Sequence, residues 1–74
     1  MFVVKEGLEV KRLIQVCWDI EDEKVKEREI NALLKAMDEF KLKESLIITE
    51  DFEKEEEFNG KKIVYKPLWK WLLE

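Results

Sequence analysis

Apolar positions along the chain fall into two periodicities. Phe2-Val3-Val4 forms a short apolar run, and Gly7 beyond Lys5-Glu6 supplies a turn signal. Residues 10–18 read as a central strand. On it Ile14, Val16 and Trp18 point to one face, and Leu13, Gln15 and Cys17 point to the other. Apolar character on both sides predicts a strand covered on both faces. The period then changes. From Glu23 to Phe40, Ile30, Leu33, Leu34, Met37 and Phe40 recur at the i, i+3, i+4, i+7, i+10 spacing of one helical face, with Val25 ahead of them. Asp19-Ile20-Glu21-Asp22 offers carboxylate caps for that helix.

Leu46-Ile47-Ile48-Thr49 reads as a compact buried strand. Strand, amphipathic helix, strand is a crossover unit, which predicts that residues 13–18 and 46–49 lie parallel. Asn59-Gly60 is the strongest hairpin signal in the chain, with residues 55–58 entering and 61–66 leaving. Pro67 sets φ at the first position of a terminal helix over residues 68–74. On that helix Trp69, Leu72 and Leu73 share a face predicted to pack on the sheet, while Trp71 projects elsewhere. The predicted fold is therefore α/β and occupies a single domain, residues 1–74. It is a small mixed sheet in ββαβββα order, with one long crossover helix and a short C-terminal helix.

Composition narrows the chemistry. The hydrophobic content of 46 % suits a globular domain, whereas 43 % charged residues is far above the usual share of about 25 %. The excess is Glu and Lys, which fits a heat-adapted organism where ion-pair networks cost less desolvation. The chain has no His and only Ser45, Thr49 and Cys17 as hydroxyl or thiol nucleophiles besides its one Tyr. No Ser-His-Asp or Cys-His site can be assembled from it, nor a Cys/His zinc site, nor an intrachain disulfide. A lone Cys points to a reducing cytosol. No segment approaches the run of about 18 apolar residues that spans a membrane, and the early charges do not suit a secretory signal. A cytoplasmic location, with no membrane association, is the expectation.

Net charge is −4 and the pI is near 5.0, the wrong balance for a duplex binder. Residues 50–57 hold six acids and one base. They read as a solvated loop, since they lack the Gly and the Asp-x-Asp spacing of an EF-hand. Lys61, Lys62, Lys66 and Lys70 do not make a phosphate track by themselves, so nucleic acid is a disfavoured partner. Trp18, Trp69 and Trp71 have no basic groove around them that would make them a stacking platform for single strands.

Four segments taken in order carry a family resemblance. Leu13-Ile14-Gln15-Val16-Cys17-Trp18-Asp19-Ile20, Glu27-Arg28-Glu29-Ile30-Asn31-Ala32-Leu33-Leu34, Leu46-Ile47-Ile48-Thr49 and Pro67-Leu68-Trp69-Lys70-Trp71-Leu72-Leu73 together resemble one known domain. It is the C-terminal domain of unknown function that follows an AAA-type ATPase domain in many archaeal and bacterial proteins. The resemblance runs from Phe2 to Glu74 and implies a restriction-endonuclease-like fold. It also implies that the chain is a fragment detached from an upstream ATPase domain. The phosphate-binding loop of such a domain is absent here, so ATP hydrolysis by that route is excluded.

Active nucleases of this fold take one Asp or Glu from the hairpin and an Asp/Glu-x-Lys pair from the central strand. The i, i+2 spacing puts acid and lysine on one strand face, where they reach a metal-bound water. The resemblance places Met1, Gln15 and Cys17 at these positions, and none has the required chemistry. Gln15 offers a neutral carbonyl where Mg²⁺ needs anionic oxygen, and Cys17 lacks a fixed positive charge. Gln15 and Cys17 are then expected in a buried strand, the amide bonded internally and the thiol inert. Relocated carboxylates, with Asp19 and Glu9 as the candidate pair, would be needed for residual nuclease activity. The expected function is that of a non-catalytic interaction or assembly module with no cofactor. Its partner is a protein, either a second copy in a homodimer or an ATPase, and Trp69 and Trp71 are the candidate contact residues.

Overall fold

Turn chemistry at two points folds the sheet's outer hairpins. Asn59 and Gly60 both sit at positive φ, 50° and 82°, as a type I′ turn demands. Gly7, at φ 65°, opens the other hairpin. In this computed structural model, which describes all 74 residues, the strands are β1 (Phe2–Glu6), β2 (Glu9–Val16), β3 (Glu44–Thr49), β4 (Lys54–Phe58) and β5 (Lys61–Pro67). The helices are α1 (Glu23–Phe40) and α2 (Leu68–Leu72). The order is ββαβββα, as the hydrophobic pattern predicts.

The five strands form one mixed sheet in the order β1-β2-β3-β5-β4. β2 and β3 are parallel, with Ile14 opposite Leu46 and Val16 opposite Ile48, as a crossover through α1 requires. β5 adds parallel to β3, and the antiparallel strands β1 and β4 close the two edges.

Asp22 caps α1, its carboxylate accepting from the amides of Lys24 at 2.9 Å and Val25 at 3.2 Å. At the other end Lys41 adopts the left-handed conformation and the Leu42 amide donates to the Met37 carbonyl at 2.9 Å. Leu33 and Met37 of α1 bury completely against Leu13, Ile47, Ile63 and Tyr65 of the sheet. The molecule measures 33 × 28 × 18 Å, and its least dimension is about that of one sheet plus one helix layer, some 10 Å each.

Four expectations are corrected. The central strand is covered on both faces only at its middle, where Leu13 and Ile14 are buried; Val16 on β2 and Trp18 just beyond it remain largely exposed on the side away from α1. Phe40 is exposed, and Leu42, beyond the left-handed Lys41 that ends α1, packs against the core instead. The acidic run is not all loop, since Lys54–Phe58 is strand β4. α2 is shorter than residues 68–74 and the wrong face of it packs. Trp69, Leu72 and Leu73 are exposed while Trp71 is half-buried, because Pro67 is the last residue of β5 and caps α2 rather than entering it.

The acid in the middle of β4 explains how that edge is held. Glu56 shares the helix face of the sheet with Ile63 and Tyr65. It accepts a hydrogen bond of 2.5 Å from the Tyr65 hydroxyl, and Lys26 of α1 lies 3.4 Å from it. The Lys26 ammonium also stands over the Tyr65 ring, 5.6 Å from its centroid, and Phe52 meets that ring edge-on at 5.4 Å. Burial, then the Glu56 hydrogen bond and charge, hold the phenol well above its ordinary pKa. Burial alone would raise the Glu56 carboxyl, but the Tyr65 hydrogen bond with Lys26 and Lys54 outweighs it and lowers the value.

Two predictions follow from this packing. A carboxyl depressed by folding stabilises the fold above its unfolded pKa and loses that contribution as pH falls through the folded value. Glu56→Gln should therefore cost about 1 kcal/mol at neutral pH, with the gap to wild type closing in acid. Urea midpoints measured across pH check it, and a gap independent of pH would contradict the arrangement. The Ser45 hydroxyl is buried without a hydrogen-bond partner. Ser45→Ala should leave stability unchanged or raise it by up to about 1 kcal/mol, and a clear loss in thermal melting would refute this.

Candidate functional site

The hairpin register runs Phe2 opposite Ile14 and Val3 opposite Leu13, so extending it by one residue brings Met1 alongside Gln15. Cys17 follows on the same face of the chain as Gln15 and Leu13, just beyond the end of β2. The three residues singled out in the sequence therefore gather at one corner of the sheet, under the N-terminal half of α1. What they meet there is decisive. The Gln15 side-chain amide donates to the Glu29 carboxylate of α1, and Cys17 is buried within the core cluster beside Ile20, Ile30 and Leu33. Burial, then the Glu29 charge, pushes the Cys17 thiol above its ordinary pKa, so it stays protonated and unreactive.

Glu29 is the site residue that the motif comparison passes over. Its signal lies in the helix pattern, because Val25, Glu29, Leu33 and Met37 form a continuous i, i+4 row. A carboxylate in an apolar row points into the protein and needs a donor. Gln15 supplies it, and Arg28 adds a distant charge at 3.8 Å. This corner holds the Gln15 amide, the Cys17 thiol and the Glu29 carboxylate, with Asp19 near enough to Cys17 for its charge to be felt there. Nowhere in the chain are three or more Cys, Asp or Glu side chains grouped to hold a metal ion. The relocated pair considered above is not brought together. Glu9 opens β2 and Asp19 lies past its end, about 30 Å away along extended chain.

The groove outside the carboxyl ends of β2 and β3, where open α/β sheets bind ligands, has a volume of about 580 Å³. It is lined by Trp18, Ile20, Phe52 and five carboxylates, Asp19, Glu21, Asp22, Glu50 and Asp51. A phosphate entering it would meet negative charge on every side. The four C-terminal lysines do not offset this. Lys61 pairs with Asp38 at 2.7 Å, and Lys62 lies between Glu44 at 3.6 Å and Glu55 at 3.8 Å. Lys66 and Lys70 pair with Glu74 and Glu53. They also straddle the sheet, since Lys61 lies on the helix face and Lys62 on the other.

The side of the sheet away from α1 is different in character. Phe2, Val4, Ile14, Val16, Leu46, Ile48 and Val64 all point to it by register. α2 covers one part, leaving a groove of about 560 Å³ between Trp71, Leu72 and the strand residues Arg12, Leu46, Val64 and Lys66. The two tryptophans serve different purposes there. Trp71 fills the side of the groove, whereas Trp69 is 55 % exposed and its indole N–H reaches Asp51 at 3.4 Å. No family model matches the chain, and no curated protein and no solved structure does either.

Burial and a raised pKa make Cys17 slow to react. Alkylation of the native protein at mildly alkaline pH should proceed only through local opening, and speed up by orders of magnitude in denaturant. Mass spectrometry of timed samples checks this, and rapid labelling of folded protein would overturn the placement of the thiol.

Proposed function

We propose that this chain is a non-catalytic protein-interaction module with a restriction-endonuclease-like fold, akin to the C-terminal domain of AAA-type ATPases. The observation that carries the reading is the one-sided sheet. Its helix face is filled by core residues and by the Gln15–Glu29 pair, while its other face presents an apolar surface wider than α2 covers. Gln15 in the acid's place spends its amide on Glu29, and Cys17 in the lysine's place is buried. Neither residue is free to act on a phosphodiester. The lone protonated thiol suits a reducing, cytoplasmic setting.

A divergent nuclease is the competing reading, and Glu29 is the carboxylate it would use. The decisive assay incubates the purified chain with plasmid, single-stranded and branched DNA in millimolar Mg²⁺ or Mn²⁺. The module reading expects no cleavage and no DNA affinity that falls steeply between about 50 and about 200 mM salt. Metal-dependent cleavage that Glu29→Gln abolishes would overturn it in favour of the nuclease. A steep salt dependence without cleavage would overturn it in favour of a nucleic-acid binder.

A further inference from the structure

The two edges of the sheet are unlike. β4, at one edge, carries three consecutive carboxylates, Glu55, Glu56 and Glu57. β1, at the other, is exposed along its whole length and presents Phe2, Val3 and Val4, which are 63, 44 and 41 % exposed. Charged edges resist pairing with another sheet, and an apolar edge with free backbone groups invites it. We propose that β1 pairs antiparallel with β1 of a second copy, joining two five-stranded sheets into one ten-stranded sheet about a two-fold axis. This rests on the interaction-module reading and names the partner.

A second copy is the occupant that these residues suit. Pairing β4 with β4 would set carboxylate against carboxylate. Pairing β1 with β4 would set Glu55 and Glu57 against the apolar residues of β1. That contact is also heterologous and leaves a free edge of each kind, so it would propagate rather than close. Pairing β1 with β1 closes at two copies and leaves an acidic β4 at each outer edge. The sheet's own register selects the alignment. Phe2 and Val4 lie on the open face with Ile14 and Arg12, whereas Val3 lies on the helix face with Leu13.

Opposed residues in an antiparallel pair point to the same face, so the axis must pass beside a residue rather than between two. With Val4 on the axis, Phe2 would meet Glu6 and Val3 would meet Lys5 of the second copy. With Val3 on the axis, Phe2 meets Val4 and Val3 meets Val3. Only the second alignment sets apolar against apolar at all three central positions, Phe2 to Val4, with Lys5 opposite Met1 beyond them. A single edge strand buries less than the roughly 800 Å² per partner of a standard stable interface, which puts it among the small, transient interfaces.

Placing Val3 on the axis makes a test that other interfaces would fail. Light scattering over a wide concentration range should show wild type rising from 9.0 kDa to about twice that mass. Val3→Glu and Val3→Lys each set like charges against each other, and each should weaken self-association by more than about tenfold. An equimolar mixture of the two should restore the dimer with one copy of each, because opposite charges then meet. As a readout that needs no variant, amide exchange in β1 should slow as wild-type concentration rises, with no such change in β4. A wild type that stays monomeric at the highest concentration would overturn the proposal, as would amide exchange that does not single out β1. So would single variants that dimerise like wild type, or a mixture that stays monomeric. None of these results involves DNA, so the proposal can fail while the interaction-module reading stands. DNA cleavage would overturn that reading whatever the mass.

Discussion

One long helix cannot cover both sides of a five-stranded sheet, and most of what distinguishes this molecule follows from that shortage. α1 seals one face, where Leu33 and Met37 meet Leu13, Ile47, Ile63 and Tyr65 with no solvent between them. The opposite face receives only α2, five residues long, which covers part of β3 and β5 and leaves β1 and the end of β2 bare. A domain this small buries a modest share of its surface in any case. Here the deficit is concentrated on one side rather than spread evenly.

Charge organises what the core does not. Glu56 would be an unfavourable residue to half-bury alone, yet it joins the Tyr65 hydroxyl, Lys26 of α1 and Lys54 into one cluster that ties the outer strand to the helix. Such a cluster costs less than an isolated buried charge because each desolvated group faces an opposite partner. The remaining lysines of the C-terminal third are matched one by one with carboxylates on α1, β3, β4, the β3–β4 loop and the chain end. The lysines of the C-terminal third are thereby neutralised locally, so they form no basic track. This leaves the apolar face and the β1 edge as the surfaces best suited to recognition.

At the corner where Gln15, Cys17 and Glu29 meet, an amide bonded to a carboxylate and a thiol in a hydrophobic cluster hold α1 to β2. The residues at this corner were legible in the sequence as far as strand parity could carry them, since Gln15 and Cys17 share a face by simple alternation. Glu29 was not singled out, although its place in the row of Val25, Leu33 and Met37 marks it as inward-pointing.

The order of elements, the parallel β2–β3 pair, the Asn59-Gly60 turn and the limits of α1 were all determined by the sequence alone. They depend on local periodicity, turn chemistry and capping, which act over a few residues. Several features were decided only by tertiary structure. These are the exposure of Val16 and Trp18, the half-burial of Trp71 in place of Trp69, the packing of Leu42 rather than Phe40 against the core, and the linking of Glu56 to Tyr65 and Lys26. Each depends on how far a helix reaches across a sheet and on which strand lies beside which. That is a matter of area and of contacts between distant residues, which no local pattern encodes.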